Sequence, residues 1–330
     1  KYFSLSDEIG GGKLKQRIRD MLLGPNVNKP TVSDDLSTLP TDSIDSKQTS
    51  PRTAPGSKPA VIHFTIFQKG GSTSFWSFLP RKRTKRFSYR NPNIPEAGVD
   101  IYLNECGWGA ADIRHNPGSM WLMRDPVTRA WSEWNYRKSN AEPNSFAKAR
   151  RQDTWQTYVT RHANHHVKHV GPGATNCLCG EKQCKGKADR SQGQNRYNCL
   201  MTQGTDQLQQ NLQAALDGIK KAAVVGTLEN IDVTMVLLWH SKLLNFYDEP
   251  CSLQHSNSRK KPPLSPDKQS FIENVNTYDV MLYEAIGVEF ERRVREASKD
   301  PIVAEYIQRA KSPQGLKKCS ALYANGKKKK

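Results

Sequence analysis

No run of apolar residues reaches the roughly 18 positions that a membrane-crossing helix requires, so no part of this sequence reads as a transmembrane span. No string of Gly, four residues and Gly-Lys-Ser/Thr occurs, which excludes the standard phosphate loop of nucleoside triphosphatases. Internal repeats are absent, which excludes a solenoid or propeller. No Asn-X-Ser/Thr sequon is present, which removes one mark of a secreted glycoprotein. Apolar residues are scarce, at 36%, and the shortage is uneven. Residues 1–58 are dominated by Ser, Thr, Asp, Pro, Gly and Lys without a sustained period, and the chain ends in a run of lysines after Gly326. Both ends read as tails, the first as a disordered stem or linker. Because the sequence opens on Lys1, an upstream portion carrying a signal or membrane anchor is expected.

What is present is a long chain with a strong charge bias. Its 330 residues suffice for one large α/β domain with appended loops. The formal charge of +18 is too large for the terminal lysines alone, so the folded part is expected to face an anionic partner. Nucleotide, acidic polysaccharide, anionic lipid and nucleic acid all meet that description. Of the seven cysteines, Cys177, Cys179, Cys184 and Cys199 fall within one short stretch. Loops of that kind suit one or two disulfides in an oxidising compartment, and the odd total leaves one thiol unpaired within the chain.

Hydrophobic patterning sets out the order of elements. The run from Ala60 to Phe67 is short, β-branched and aromatic, as a buried parallel strand is. It ends in a glycine loop, and 73–79 reads as the start of a helix. Further strands are expected at 99–104, 120–123 and 222–227. Asp125-Pro126 is a strong helix start, because a carboxylate caps free N–H groups and Pro suits the first turn; that helix is expected to run to about Tyr136. Residues 138–220 read as irregular or helical by turns, with a Cys-rich insertion at about 171–203. A helix is expected from Ile231 to Leu244. A long one is expected from Ser265 on, with Phe271, Val275, Tyr278, Leu282 and Ala285 along its core face. Strands alternating with helices imply a central, mostly parallel sheet flanked by helices, with ligands at the carboxyl ends of its strands. The domain is expected to span 59–300, followed by a C-terminal helix and basic tail over 301–330.

Two motifs carry the chemistry. Gln68-Lys69-Gly70-Gly71-Ser72-Thr73-Ser74 lies between an expected strand and an expected helix, where glycines let consecutive N–H groups curl around one anion. Lys69 leads the loop, which places an ammonium at its mouth. Taken alone, the stretch is also compatible with a plain polar turn. The second motif, Arg124-Asp125-Pro126-Val127-Thr128-Arg129-Ala130-Trp131-Ser132, sets an arginine at a strand end and a serine two turns into the next helix. A guanidinium offers a forked, permanently charged contact to phosphate, and a hydroxyl adds a donor. Alternatively, Arg124 pairs with Asp125 and Ser132 is an ordinary helix residue. Together, two anion sites on neighbouring strand ends suit a ligand with two separated phosphate groups.

These residues resemble the 5′-phosphosulfate loop and the 3′-phosphate motif of PAPS-dependent sulfotransferases. Within that group the chain is similar to Golgi carbohydrate sulfotransferases of the heparan/uronyl 2-O-sulfotransferase type. The Cys-bearing segment 177–203, Val225-Gly226-Thr227-Leu228-Glu229 and the stretch from Arg259 to Glu284 add to the likeness, which covers roughly 60–295. The resemblance implies a P-loop-like three-layer α/β fold, PAPS as donor and PAP as product, no metal, and a type II membrane protein of the Golgi lumen. It assigns Lys69, Gly70, Gly71, Ser72, Thr73 and Ser74 to the 5′-phosphosulfate, Arg124 and Ser132 to the 3′-phosphate, and Arg259 to a basic loop over the nucleotide.

The acceptor implied is a polysaccharide, acidic or neutral, with nucleic acid not expected and a homo-oligomer left open. The family's general-base histidine after the second strand has no counterpart in Leu103-Asn104-Glu105-Cys106-Gly107, so Glu105 is the candidate base and His115 the second choice. Arg81 and Arg83 in the basic stretch behind the loop, with Arg190 and Arg196 near the cysteines, are candidate acceptor contacts. His162, His165, His166 and His169 lack the spacing of a zinc finger and would share a helix face, which is also suited to an anionic glycan. Two further readings stand beside the transferase: a P-loop nucleotide kinase and a non-catalytic polyanion-binding protein.

Overall fold

The structure, a computed structural model, describes residues 62–66, 78–79, 84–87, 101–104, 119–139, 154–170, 199, 201–243, 248–253 and 262–319. All of these belong to one compact unit, Val61–Lys330. The expected stem, most of the Cys-rich insertion (171–198 and 200) and the basic tail from 320 on lie outside the described residues.

The described strands are β1 (Ile62–Ile66), β2 (Thr84–Phe87), β3 (Ile101–Asn104), β4 (Ser119–Met123) and β5 (Val224–Thr227). They form a single sheet in the order β2-β3-β1-β4-β5, and every neighbouring pair is parallel. The helices are α1 (Pro126–Ser139), α2 (Trp155–Arg161), α3 (His165–Val170), α4 (Thr205–Lys221), α5 (Ile231–His240), α6 (Pro266–Val275), α7 (Thr277–Ala297) and α8 (Pro301–Lys311). The mixed, parallel α/β class expected from the alternating patterns is therefore present.

Strand β4 shows why the sheet needs cover on both faces, since all five of its residues are buried. Alternate side chains point opposite ways. Met120 and Leu122 join a cluster with Val236 and Leu238 of α5, Phe290 and Val294 of α7, and Val303 and Ile307 of α8. Trp121 points the other way and meets α4, where a Cβ added to Gly218 would lie 3.0 Å from the indole. Glycine is required at a second close approach. A Cβ on Gly226 of β5 would lie 2.2 Å from a side-chain atom of Thr234 on α5, so only glycine lets that helix settle against the strand.

A disulfide between Cys251 and Cys319, 68 residues apart, ties the segment after α5 to the segment after α8, where Ser252 and Lys318 bridge. Closing a loop of that length stabilises the fold by about 4 kcal/mol in the chain-entropy account. Cys199, within the cysteine cluster noted in the sequence, is disulfide-bonded as well.

Two expectations about elements are corrected. The sequence pattern passes over β2, which lies inside the basic stretch; as an edge strand it pairs on one side only and carries Lys85 and Arg86 in place of an apolar run. The long helix expected from Ser265 is broken into α6 and α7 at Asn276. The cause is a splice with the α2–α3 turn: Asn164, in the left-handed region at φ 53°, accepts from the N–H groups of Tyr278 (2.9 Å) and Asp279 (3.3 Å). Asn276 in turn accepts from the Asn164 N–H at 3.0 Å and donates to the carbonyl of Ile272 at 2.8 Å. A polar cap from a distant segment thus offsets the helical bonds lost at the break.

Candidate functional site

Because all strands run the same way, their carboxyl ends share one edge. Along it the chain leaves β3 at Asn104, β1 at Ile66, β4 at Met123 and β5 at Thr227. The connection after β1 goes to β2 on one side, and the connection after β4 goes to β5 on the other. The edge between β1 and β4 is therefore the switch point of the sheet, the place where open α/β sheets bind ligands. Ile66, the last residue of β1, pairs with Leu122 of β4, two residues before Arg124. Adjacent strands are roughly 4.8 Å apart. Glu105 is the residue directly after β3.

Among the expected site residues, Arg124 and Ser132 are described. Lys69, Gly70, Gly71, Ser72, Thr73, Ser74, Arg81, Arg83, Glu105, Arg190, Arg196 and Arg259 lie outside the described residues, as does His115.

The junction between β4 and α1 is built as its sequence requires. The Asp125 carboxylate accepts from the Thr128 N–H at 2.7 Å, and the Asp125 carbonyl accepts from the Arg129 N–H at 2.9 Å. With Pro126 at the first helical position, the helix start is a side-chain cap. The Arg124 guanidinium donates through Nε to the Thr128 hydroxyl at 3.2 Å. Ser132 lies one turn beyond Thr128 on the same helix face and is buried. Thr128 and Ser132 therefore lie on one line of α1, and Thr128 is a neighbour of Arg124 that sequence reasoning missed; its hydroxyl accepts from Arg124 Nε and donates to the Asp125 carbonyl at 3.2 Å. Its position four residues before Ser132 was the available signal.

Two carboxylates flank Arg124. Burial lowers the affinity of its guanidinium for the proton, while Glu229 and Asp125 oppose that shift, and an arginine in this setting stays charged. Both carboxylates have other donors. Asp125 caps the helix, and Glu229, on the turn after β5, accepts from the Asp125 N–H at 3.1 Å and the Tyr283 hydroxyl at 3.0 Å. A permanently charged fork at the carboxyl-end edge of a parallel sheet has the chemistry to hold a phosphate group.

The four histidines follow a different course from the glycan-facing one considered for them. His162, His165, His166 and His169 are all buried, with exposures of 3, 6, 0 and 7%. His165, His166 and His169 lie near Arg129, where burial first and neighbouring positive charge second push His165 and His166 well below the ordinary imidazole value. His169 is lowered to about 4, chiefly by burial. Rings buried in the core cannot offer a cationic surface. Among the described residues, no group of three or more His, Cys, Asp and Glu is arranged to hold a metal ion, and no helix is long and apolar enough to cross a membrane.

The fold thus defines a parallel α/β protein with Arg124 at the carboxyl-end edge of its sheet. No protein-family model matches the chain, and no curated protein matches its sequence.

Proposed function

We propose that the protein is a sulfotransferase that moves a sulfuryl group from PAPS to a hydroxyl of a carbohydrate, on a P-loop-like three-layer scaffold. The observation that carries this reading is Arg124 at the switch point, directly after β4, on the strand next to the one that precedes Lys69-Gly70-Gly71-Ser72-Thr73-Ser74 in the sequence. Arg124 and Ser132 hold the 3′-phosphate, with Thr128 beside them, and the lysine-led loop holds the 5′-phosphosulfate. Arg259 closes over the nucleotide. Arg81, Arg83, Arg190 and Arg196 contact the acceptor, a polysaccharide in the Golgi lumen to which an upstream anchor tethers the enzyme.

The reaction is an in-line displacement in which positioning and charge stabilisation dominate. The acceptor oxygen forms a bond to sulfur as the bond from sulfur to the bridging phosphate oxygen breaks, and PAP departs with the electron pair. Lys69 offsets the charge growing on that bridging oxygen. Glu105, directly after β3, takes the acceptor's proton. No metal takes part.

The test is transfer itself. With sulfur-labelled PAPS and a panel of polysaccharides, label is expected to enter one class of glycan in the wild type, and Lys69→Ala is expected to abolish transfer while heparin binding persists. Equal loss of transfer and heparin binding would favour a polyanion-binding module instead.

A further inference from the structure

Glu229 has the look of an ordinary solvated carboxylate: it is exposed, on the turn that follows β5. Its bonding is not ordinary. Oε1 accepts from the N–H of Asp125 at 3.1 Å, and Oε2 accepts from the hydroxyl of Tyr283, on α7, at 3.0 Å. Both oxygens of a surface group are thus held by partners far away in sequence, one on the β4–α1 junction and one on a packed helix.

The first partner matters most. The Asp125 N–H belongs to the peptide that follows Arg124, so the bond to Glu229 fixes the plane of that peptide and with it the direction in which the Arg124 side chain leaves the backbone. From there the constraint runs on. Asp125 caps the Thr128 N–H at 2.7 Å, and the Thr128 hydroxyl receives Nε of Arg124 at 3.2 Å. Tyr283 supplies the other anchor. Burial, with Glu229 alongside, pushes its phenol above the ordinary value, so the proton that Glu229 accepts stays in place across the working pH range. The register between β4 and β5 supports the same geometry, with Met123 opposite Thr227 and the Leu228 N–H donating to the Met123 carbonyl at 2.8 Å.

We propose that Glu229, anchored by Tyr283, is a positioning residue that orients Arg124 and so sets the preference of the crevice for a nucleotide bearing a 3′-phosphate. This rests on the nucleotide reading above. It goes beyond that reading by assigning 3′-phosphate selectivity to a carboxylate on the turn after a different strand. A merely structural staple between β5 and β4 would act on stability and on all nucleotides alike.

The experiment measures affinity for two probes, adenosine 3′,5′-bisphosphate and AMP, by calorimetric titration of wild type, Glu229→Ala, Glu229→Gln, Tyr283→Phe and the Glu229→Ala/Tyr283→Phe double variant. The wild type is expected to prefer the bisphosphate. Glu229→Ala is expected to cut that preference about tenfold while changing AMP affinity less than about twofold. Glu229→Gln, which keeps an acceptor for the Asp125 N–H, is expected to recover part of the loss. Tyr283→Phe is expected to go the same way by a smaller factor, and the double variant is expected to be no worse than Glu229→Ala, since Tyr283 acts through Glu229. A wild type indifferent to the 3′-phosphate overturns the nucleotide reading, and this inference with it. A wild type that prefers the bisphosphate, with a Glu229→Ala variant that keeps the ratio or weakens both probes equally, overturns the inference alone. Should Glu229→Ala fail to fold, the Gln and Phe variants decide by the same ratio.

Discussion

Arg124 and Arg129 stand little more than one helical turn apart on the same junction, and their surroundings differ in every respect that matters to an anion. Arg124 is half-buried at the ligand edge, where its Nε meets a hydroxyl and the nearby carboxylates are held by other donors. Arg129 is wholly buried, bonded at 2.9 Å to Glu133 on the next turn. Its Nε and Nη2 have no hydrogen-bond partner among the described residues. The two stripes of α1 explain the split. Residues 128 and 132 follow one line of the helix, while 129 and 133 follow a line about 100° around it, turned into the core. The same side-chain type serves recognition on one stripe and architecture on the other, and position relative to the sheet edge decides which.

That comparison is broken most severely at the buried arginine. Arg129→Ala takes the Arg129 partner from the buried Glu133 carboxylate, a loss of about 3 to 5 kcal/mol, read as a fall in the urea midpoint at constant slope. Arg124→Ala is the converse case. It is expected to lower affinity for adenosine 3′,5′-bisphosphate by about 10- to 100-fold, the worth of a charge-assisted contact, with little change in the urea midpoint. If Arg124→Ala instead unfolds the protein while Arg129→Ala leaves it stable and unable to bind, the assignment of stripes is reversed.

Acid comes next in size. His165, His166 and His169 are held neutral in the fold, so the unfolded chain binds protons that the folded one does not. Their contribution is fully present above the unfolded value near 6.5 and is lost as pH falls toward the folded value, about 4 for His169. The loss approaches roughly 1.4 kcal/mol per pH unit for each such proton. Asp279 works the other way. Burial raises its carboxyl although Arg129 and the N–H groups of Val167 and His166 favour the charged form, so it takes up its proton at higher pH in the fold and offsets part of the loss at the acid end. Lys168, lowered by burial against the pull of Asp279, affects only the alkaline range. Urea midpoints measured from pH 7 down to pH 5 are expected to fall steadily; a flat profile would mean that the imidazoles are hydrated. The smallest change is Ser132→Ala, expected to weaken bisphosphate binding by about 1 kcal/mol, the net worth of one hydrogen bond.

Much of the frame was legible from local pattern. The runs 60–67, 120–123 and 222–227 read as strands, and strands lie at 62–66, 119–123 and 224–227; Asp125-Pro126 likewise marks its helix, because in each case neighbouring residues carry the whole signal. Three features were not legible, each for want of a distant partner. The break at Asn276 depends on Asn164, and nothing within 265–285 marks it. Strand β2 lies in a basic stretch that an edge position tolerates and a period-2 pattern does not reveal. The histidines looked like a polar face because their spacing is helical, whereas Asp279 and the backbone of α7 draw that helix into the core: Asp279 accepts from the N–H groups of His166 (3.0 Å) and Val167 (2.9 Å). Of the candidate site, the strand-end arginine was visible as a motif, but Glu229 and Tyr283 become its neighbours only once β5 and α7 are in place.

A competitive titration of the wild-type protein puts the central claim at greatest risk: adenosine 3′,5′-bisphosphate against ATP with magnesium, followed by melting temperature. The account predicts a concentration-dependent rise with the bisphosphate, lost in Arg124→Ala, and little response to ATP with magnesium. A rise with ATP and magnesium, together with no response to the bisphosphate, would contradict it.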